Sequence, residues 1–236
     1  MQQSEPTTAS TRTTAVLIGL LFLTATVTFA TAEALTDSVL DGPDFLTGAS
    51  EDTNVLATAA LLALVQGVAI VGTAVFFFPL LKRESEPLAL AYVGLRVAEL
   101  AATLFYLATP LLVIKLADGR DDSVDPSASQ PLGALLESQR SVAVLMIYLV
   151  TSVLGLILAF LLYRSRLVPR PIAILGLIGY PVLLAGSVLA AFDVSDVTEG
   201  AGLIALVPGG LFELILPIWL IAKGFTFPGA AVSPAP

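Results

Sequence analysis

Arg96, Glu99 and Glu213 lie within long apolar stretches, in a chain whose other charges sit between such stretches. An ionisable side chain in hydrocarbon is costly unless it is paired or hydrated, so each of the three must find a partner or reach water. Arg96 and Glu99 stand at i and i+3 of one helix, close enough to pair. Arg96 can balance only one carboxylate, which leaves a triad of formal charge −1 that invites a proton or a cation. Two chemistries are open at this point. The triad is a buried clamp that fixes helix register, or it is a site that binds or passes a small ligand or ion, with Glu213 the group that exchanges it. Contact with a lipid headgroup is a third.

Tyr92, Arg96, Glu99, Thr103 and Tyr106 follow one another at steps of four, three, four and three, which puts all of them on one helical face. In a membrane such a stripe turns toward other helices or a wet cavity. Tyr92, Thr103 and Tyr106 are therefore candidate cavity-lining residues. Gln66, alone in its apolar stretch, either lines the same cavity or makes an interhelical hydrogen bond. Arg96 is nine residues from Pro87 and Glu213 ten from Lys223. At 1.5 Å rise per residue both lie about 14 to 15 Å from the same edge, so they can meet. Pro217 leaves the Glu213 carbonyl without its helical donor, and Gly209 and Gly210 let a neighbouring helix come close.

The elements that carry these residues are read from the runs between charges. Six spans are long enough to cross about 30 Å of hydrocarbon. Their cores are 15–31, 55–80, 88–114, 142–163, 172–192 and 203–222, separated by loops at 33–53, 117–140 and 193–201 on one side. The chain is expected to be an all-α polytopic helix bundle. Residues 1–13 form an N-terminal segment, 14–225 the six-helix transmembrane domain and 226–236 a disordered tail. Ala59, Ala63 and Gly67, and Gly186 with Ala190, have the spacing of close helix packing. Pro79 and Pro110 are expected to mark helix ends. Tyr148, Tyr163, Trp219 and Phe76 to Phe78 read as interfacial anchors.

Composition supports a membrane protein and excludes much else. Of 236 residues 56% are hydrophobic and 13% charged, with no cysteine and no histidine, and the mean hydropathy is +0.92. Disulfides, thiol chemistry, an imidazole base and His/Cys-ligated metal are thereby absent. No cofactor, no metal site and no catalytic constellation is expected: every Asp falls outside the spans, and no phosphate-binding glycine loop occurs. A net charge of −8 argues against nucleic acid. Membrane lipid is the expected surrounding partner, a small molecule or ion the expected ligand if there is one, and the sequence names no protein partner.

Loop charge orients the bundle in the cell membrane. Arg12, Lys82, Arg83, Arg164, Arg166, Arg170 and Lys223 fall on one side, and the loops on the other are acidic, which puts both termini in the cytoplasm. Arg12, the apolar stretch 15–30 and Ala30-Thr31-Ala32 also fit a cleaved secretory signal, a rival reading of the first span.

The string Ala89-Leu90-Ala91-Tyr92-Val93-Gly94-Leu95-Arg96-Val97-Ala98-Glu99, preceded by Phe78-Pro79-Leu80-Leu81-Lys82-Arg83, resembles a family of small prokaryotic membrane proteins known as domain of unknown function 4386. The likeness extends to 19–26, to Val168-Pro169-Arg170 with 176–179, and to Glu213 with Trp219-Leu220-Ile221-Ala222-Lys223-Gly224-Phe225. The resemblance implies six membrane helices and a signature that includes the three buried charges. It implies no known activity. The chain departs from the family pattern at Phe212, where that pattern carries Gln.

The orientation has a direct check, because the native chain has no cysteine. In Ser123→Cys the thiol should react with an impermeant reagent added outside intact cells, and in Ser85→Cys it should not. The reverse pattern would invert the topology.

Overall fold

A computed structural model describes residues 8–40, 49–118, 126–194 and 203–226. Six long helices account for nearly all of them: α1 (Thr8–Leu40), α2 (Thr53–Leu81), α3 (Glu86–Asp118), α4 (Pro126–Ser165), α5 (Arg170–Ala191) and α6 (Leu203–Ala222). Each contains a stretch long and apolar enough to cross a membrane. The polarity is inverted relative to a water-soluble bundle: Leu61, Val68, Ile178 and Ile204 are more than half exposed, as lipid-facing residues would be. The tail expected at 226–236 lies outside the described residues except for Thr226, whose N–H donates to the Leu167 carbonyl at 2.8 Å.

Each helix packs on its chain neighbours, and α1 closes the set by packing on α6, so the six form a ring. Short connections from Leu81 to Glu86 and from Ser165 to Arg170 make those neighbours antiparallel. The closure is held by Arg12. Its Nη1 donates to the Leu220 carbonyl at 3.0 Å and its Nη2 to that of Ile221 at 2.6 Å. A guanidinium at a helix C-terminus complements the helix dipole and serves its last carbonyls; that of Leu220 also accepts from the Gly224 N–H at 3.0 Å. The start of α1 therefore sits against the end of α6 at one end of the bundle.

That end is filled. Phe77, Tyr92, Leu154, Leu158, Leu161, Leu162, Leu216 and Leu220 are fully buried in one cluster. Small residues set the helix separations. A Cβ on Gly67 would stand 2.6 Å from Leu100 Cδ1 of α3, one on Gly186 2.8 Å from Ala205 Cβ of α6, and one on Gly155 would overlap the Tyr180 ring.

Two helices run further than the sequence suggested. α1 continues to Leu40 and α4 begins at Pro126, so much of the expected loops at 33–53 and 117–140 is helical. The reason lies in the charges themselves. Glu33 and Asp37 share a face of α1 at i and i+4, and Arg140 of α4 pairs with both, at 3.5 and 2.8 Å, and with Glu137 at 3.2 Å. Charges that satisfy one another across helices need no loop. Pro110 also lies inside its helix rather than at its end, and Pro79 sits two residues before the end of α2. Gln139 of α4 supports the turn around Pro110: its Nε2 donates to the Phe105 carbonyl at 2.8 Å and its Oε1 accepts from Thr109 Oγ1 at 2.5 Å.

Glycine contacts give a stability contrast. A Cβ on Gly179 would stand 2.6 Å from Gly209 N, a backbone atom that cannot swing away, whereas one on Gly94 meets nothing within 4 Å. Gly179→Ala should lower stability in detergent by about 1 to 3 kcal/mol through overpacking. Gly94→Ala should be neutral or raise it by up to about 1 kcal/mol through helix propensity. Thermal unfolding of the two variants checks both.

Candidate functional site

Arg96 is 4% exposed and sits inside the ring. Its Nη1 donates to Glu99 Oε2 at 2.7 Å, one turn on, and its Nε donates to the Tyr92 hydroxyl at 3.2 Å, one turn back. Its guanidinium carbon stands 5.5 Å from the Phe22 ring centroid of α1 and 5.3 Å from that of Tyr92, a cation held between two aromatic rings. The second oxygen of Glu99, Oε1, accepts from Thr151 Oγ1 of α4 at 2.7 Å. Both carboxylate oxygens of Glu99 are thus engaged, and the pair ties α3 to α1 and α4.

Glu213 is placed differently. The Arg96 ion pair is with Glu99, and no cation among the described residues lies within 4.0 Å of Glu213. Its Oε1 accepts a long hydrogen bond, 3.4 Å, from the Tyr180 hydroxyl of α5. Tyr180 is held by Phe212, edge to face at a centroid distance of 5.4 Å. Phe212 therefore orients the phenol that reaches the neighbouring carboxylate.

The three charges surround one cavity of about 220 Å³. Every helix contributes to it: Phe22, Thr26 and Phe29 from α1, Gln66, Ile70 and Thr73 from α2, Arg96 and Glu99 from α3, Ile147, Tyr148 and Thr151 from α4, Leu183 from α5, and Leu206, Gly209, Gly210 and Glu213 from α6. The buried cluster at the terminal end lies beneath it. At its far end, the ring of Phe29, itself part of the lining, lies 6.0 Å from Tyr106 and 6.5 Å from Tyr148, and the Arg140 cluster sits further out on the same two helices, α1 and α4.

Of the residues the sequence nominated beside the charges, Gln66 lines the cavity; Tyr92, Thr103 and Tyr106 do not. Tyr92 stands behind Arg96, against Phe77 at 6.3 Å. Thr103 is buried against the Gly67 side of α2. Tyr106 packs in a separate cluster with Ala32, Ala63, Ala102 and Ala143. A helical stripe fixes azimuth and not depth: Tyr106 is seven residues from Glu99, about 10 Å along the axis. Tyr148, read as an interfacial anchor, instead lines the cavity. Thr151, Tyr180 and Phe22 were missed. The first two had a weak signal, polar groups within apolar spans; Phe22 had none.

The family model for a domain of unknown function, DUF4386, matches residues 17–224. The chain belongs to this family. The matched region takes in all three buried charges and the whole cavity. No curated protein and no solved structure matches the chain. This DUF4386 chain is a multi-pass membrane protein with six spans.

Removing one member of a buried pair leaves the other uncompensated. Arg96→Ala should cost about 3 to 5 kcal/mol. Arg164, half exposed and paired with Glu84 at 2.8 Å, should cost at most about 1 kcal/mol on truncation. Equal melting temperatures for the two variants in detergent would contradict the pairing.

Proposed function

We propose that the protein is a small-solute or cation permease of the cell membrane, with Glu213 as the carboxyl that exchanges a proton or cation and with both termini in the cytoplasm. The observation that carries this reading is a cavity lined by all six helices that contains a carboxylate without a cationic partner. A carboxylate kept only for packing would be expected to have its charge matched, as Glu99 does. The buried Gln66, whose Oε1 has no hydrogen-bond partner, points the same way: a polar atom left open in a bundle is expected to meet water or a ligand.

The triad then divides into two roles. Arg96 and Glu99, with Thr151 and Tyr92, form a satisfied pair that holds helices together, which supports the clamp reading for those two residues. Glu213 and Gln66, with the Nη2 of Arg96 beside them, are the groups left for a ligand. The positive-inside distribution supports a cytoplasmic position for the filled end of the bundle, and the permease reading has the cavity reached from the opposite face.

A permease site must be wet, whereas a bundle that serves only as a packing partner for another protein is dry at its centre. The thiol of Gln66→Cys should therefore react, in right-side-out vesicles, with a small hydrophilic thiosulfonate added outside. The cationic form should react faster than an anionic form of similar size, because the formal charge of Arg96, Glu99 and Glu213 together is −1. A folded Gln66→Cys variant inert to both reagents would remove the permease reading and leave the packing one.

A further inference from the structure

The cavity leaves two particular acceptors open, and these bear on the chemistry of its occupant. A hydroxyl has one proton to donate. Thr26 Oγ1 directs its proton to the Phe22 carbonyl at 3.1 Å, Thr73 Oγ1 to that of Ile70 at 2.6 Å, and Thr151 Oγ1 to Glu99 at 2.7 Å. All three hydroxyls therefore present only lone pairs to the cavity. Gln66 Oε1 is buried and accepts nothing, and Glu213 accepts only the long bond from Tyr180. Arg96 pairs with Glu99 through Nη1 and donates from Nε to Tyr92, its Nη2 makes no hydrogen bond among the described residues, and it forms no ion pair with Glu213 within 4.0 Å. Gln66 Oε1 is left without a donor and Glu213 with a long one only, and the formal charge of Arg96, Glu99 and Glu213 together is −1.

Resting on the permease reading above, we propose that the cavity binds a small primary alkylammonium, its –NH₃⁺ donating to Glu213 and Gln66 Oε1 and its alkyl chain lying against Ile70, Ile147, Leu183 and Leu206. The three N–H donors of an ammonium match a carboxylate, an amide oxygen and a hydroxyl lone pair, and Lys-like ammonium groups are strongly hydrated point charges that need such replacement. A quaternary ammonium has the charge without the donors and leaves Gln66 Oε1 unpaired. An anion meets Glu213. A bare metal ion leaves most of a cavity of about 220 Å³, with its apolar wall, unfilled.

The test uses the purified full chain in detergent, titrated with n-propylammonium chloride, tetramethylammonium chloride, sodium chloride and sodium propionate at matched ionic strength. Propylammonium should raise the melting temperature with saturation and the other three should not. In Glu213→Gln the half-saturating concentration should rise about tenfold or more, the loss expected for a charge-assisted hydrogen bond. A second readout leaves Glu213 in place. Gly210 lines the cavity and a Cβ there meets nothing within 4 Å, so Gly210→Cys should fold, and propylammonium should slow its modification by thiosulfonate severalfold. An equal response to tetramethylammonium, sodium or propionate would overturn the proposal, as would an unchanged modification rate in Gly210→Cys. If Gln66→Cys reacts as expected and propylammonium neither stabilises nor protects, the wet cavity stands and the ligand class falls; if Gln66→Cys is inert, both fall.

Discussion

A guanidinium cannot shed its proton, so Arg96 carries its full charge wherever the fold puts it, and the fold puts it at 4% exposure in the middle of a ring of apolar helices. Much else follows from satisfying that one charge. Glu99 supplies the counter-charge from the next turn, Tyr92 an acceptor from the previous one, Phe22 an aromatic face from α1, and Thr151 the donor that completes Glu99 from α4. Each partner is on a specified helix at a specified depth, so the charge acts as a register pin for α1, α3 and α4. Apolar packing between helices in lipid has little of this specificity, because a Leu is as comfortable against a lipid tail as against another Leu.

The same satisfaction explains why Glu213 stands out. Two carboxylates face one cavity, and geometry gives the cation to only one of them. The other is left with a phenol at 3.4 Å and with glycines, Gly209 and Gly210, beside it in place of side chains that could fill the space. The cavity is a consequence of small residues on α6 and of the ring closure held by Arg12 at the other end of the same helix pair. Tight packing at one end of α1 and α6 and open space further along them is an arrangement suited to holding a solute.

The sequence made the six spans legible because each is a long apolar run, and it made the Arg96–Glu99 pair legible because i,i+3 spacing is local. Glu213 was nominated by being a charge in hydrocarbon. What was not legible depends on which helices face each other. Thr151 and Tyr180 come from α4 and α5, and nothing in the α3 or α6 sequence specifies them. Arg140 was read as a loop charge because Glu33 and Asp37, which neutralise it, are more than a hundred residues away in the chain. Tyr106 was assigned to the cavity because it shares a face with Glu99, though the cavity ends before it.

The central claim is that the two buried carboxylates are unequal: Glu99 belongs to Arg96, and Glu213 does not. A double-mutant cycle in unfolding free energy measures this most directly, with Arg96→Gln combined first with Glu99→Gln and then with Glu213→Gln. The account predicts a coupling between Arg96 and Glu99 of about 1 to 3 kcal/mol and a clearly smaller one between Arg96 and Glu213. A coupling to Glu213 as large as that to Glu99 would contradict it, since Arg96 would then be shared and no carboxylate would be left for a ligand.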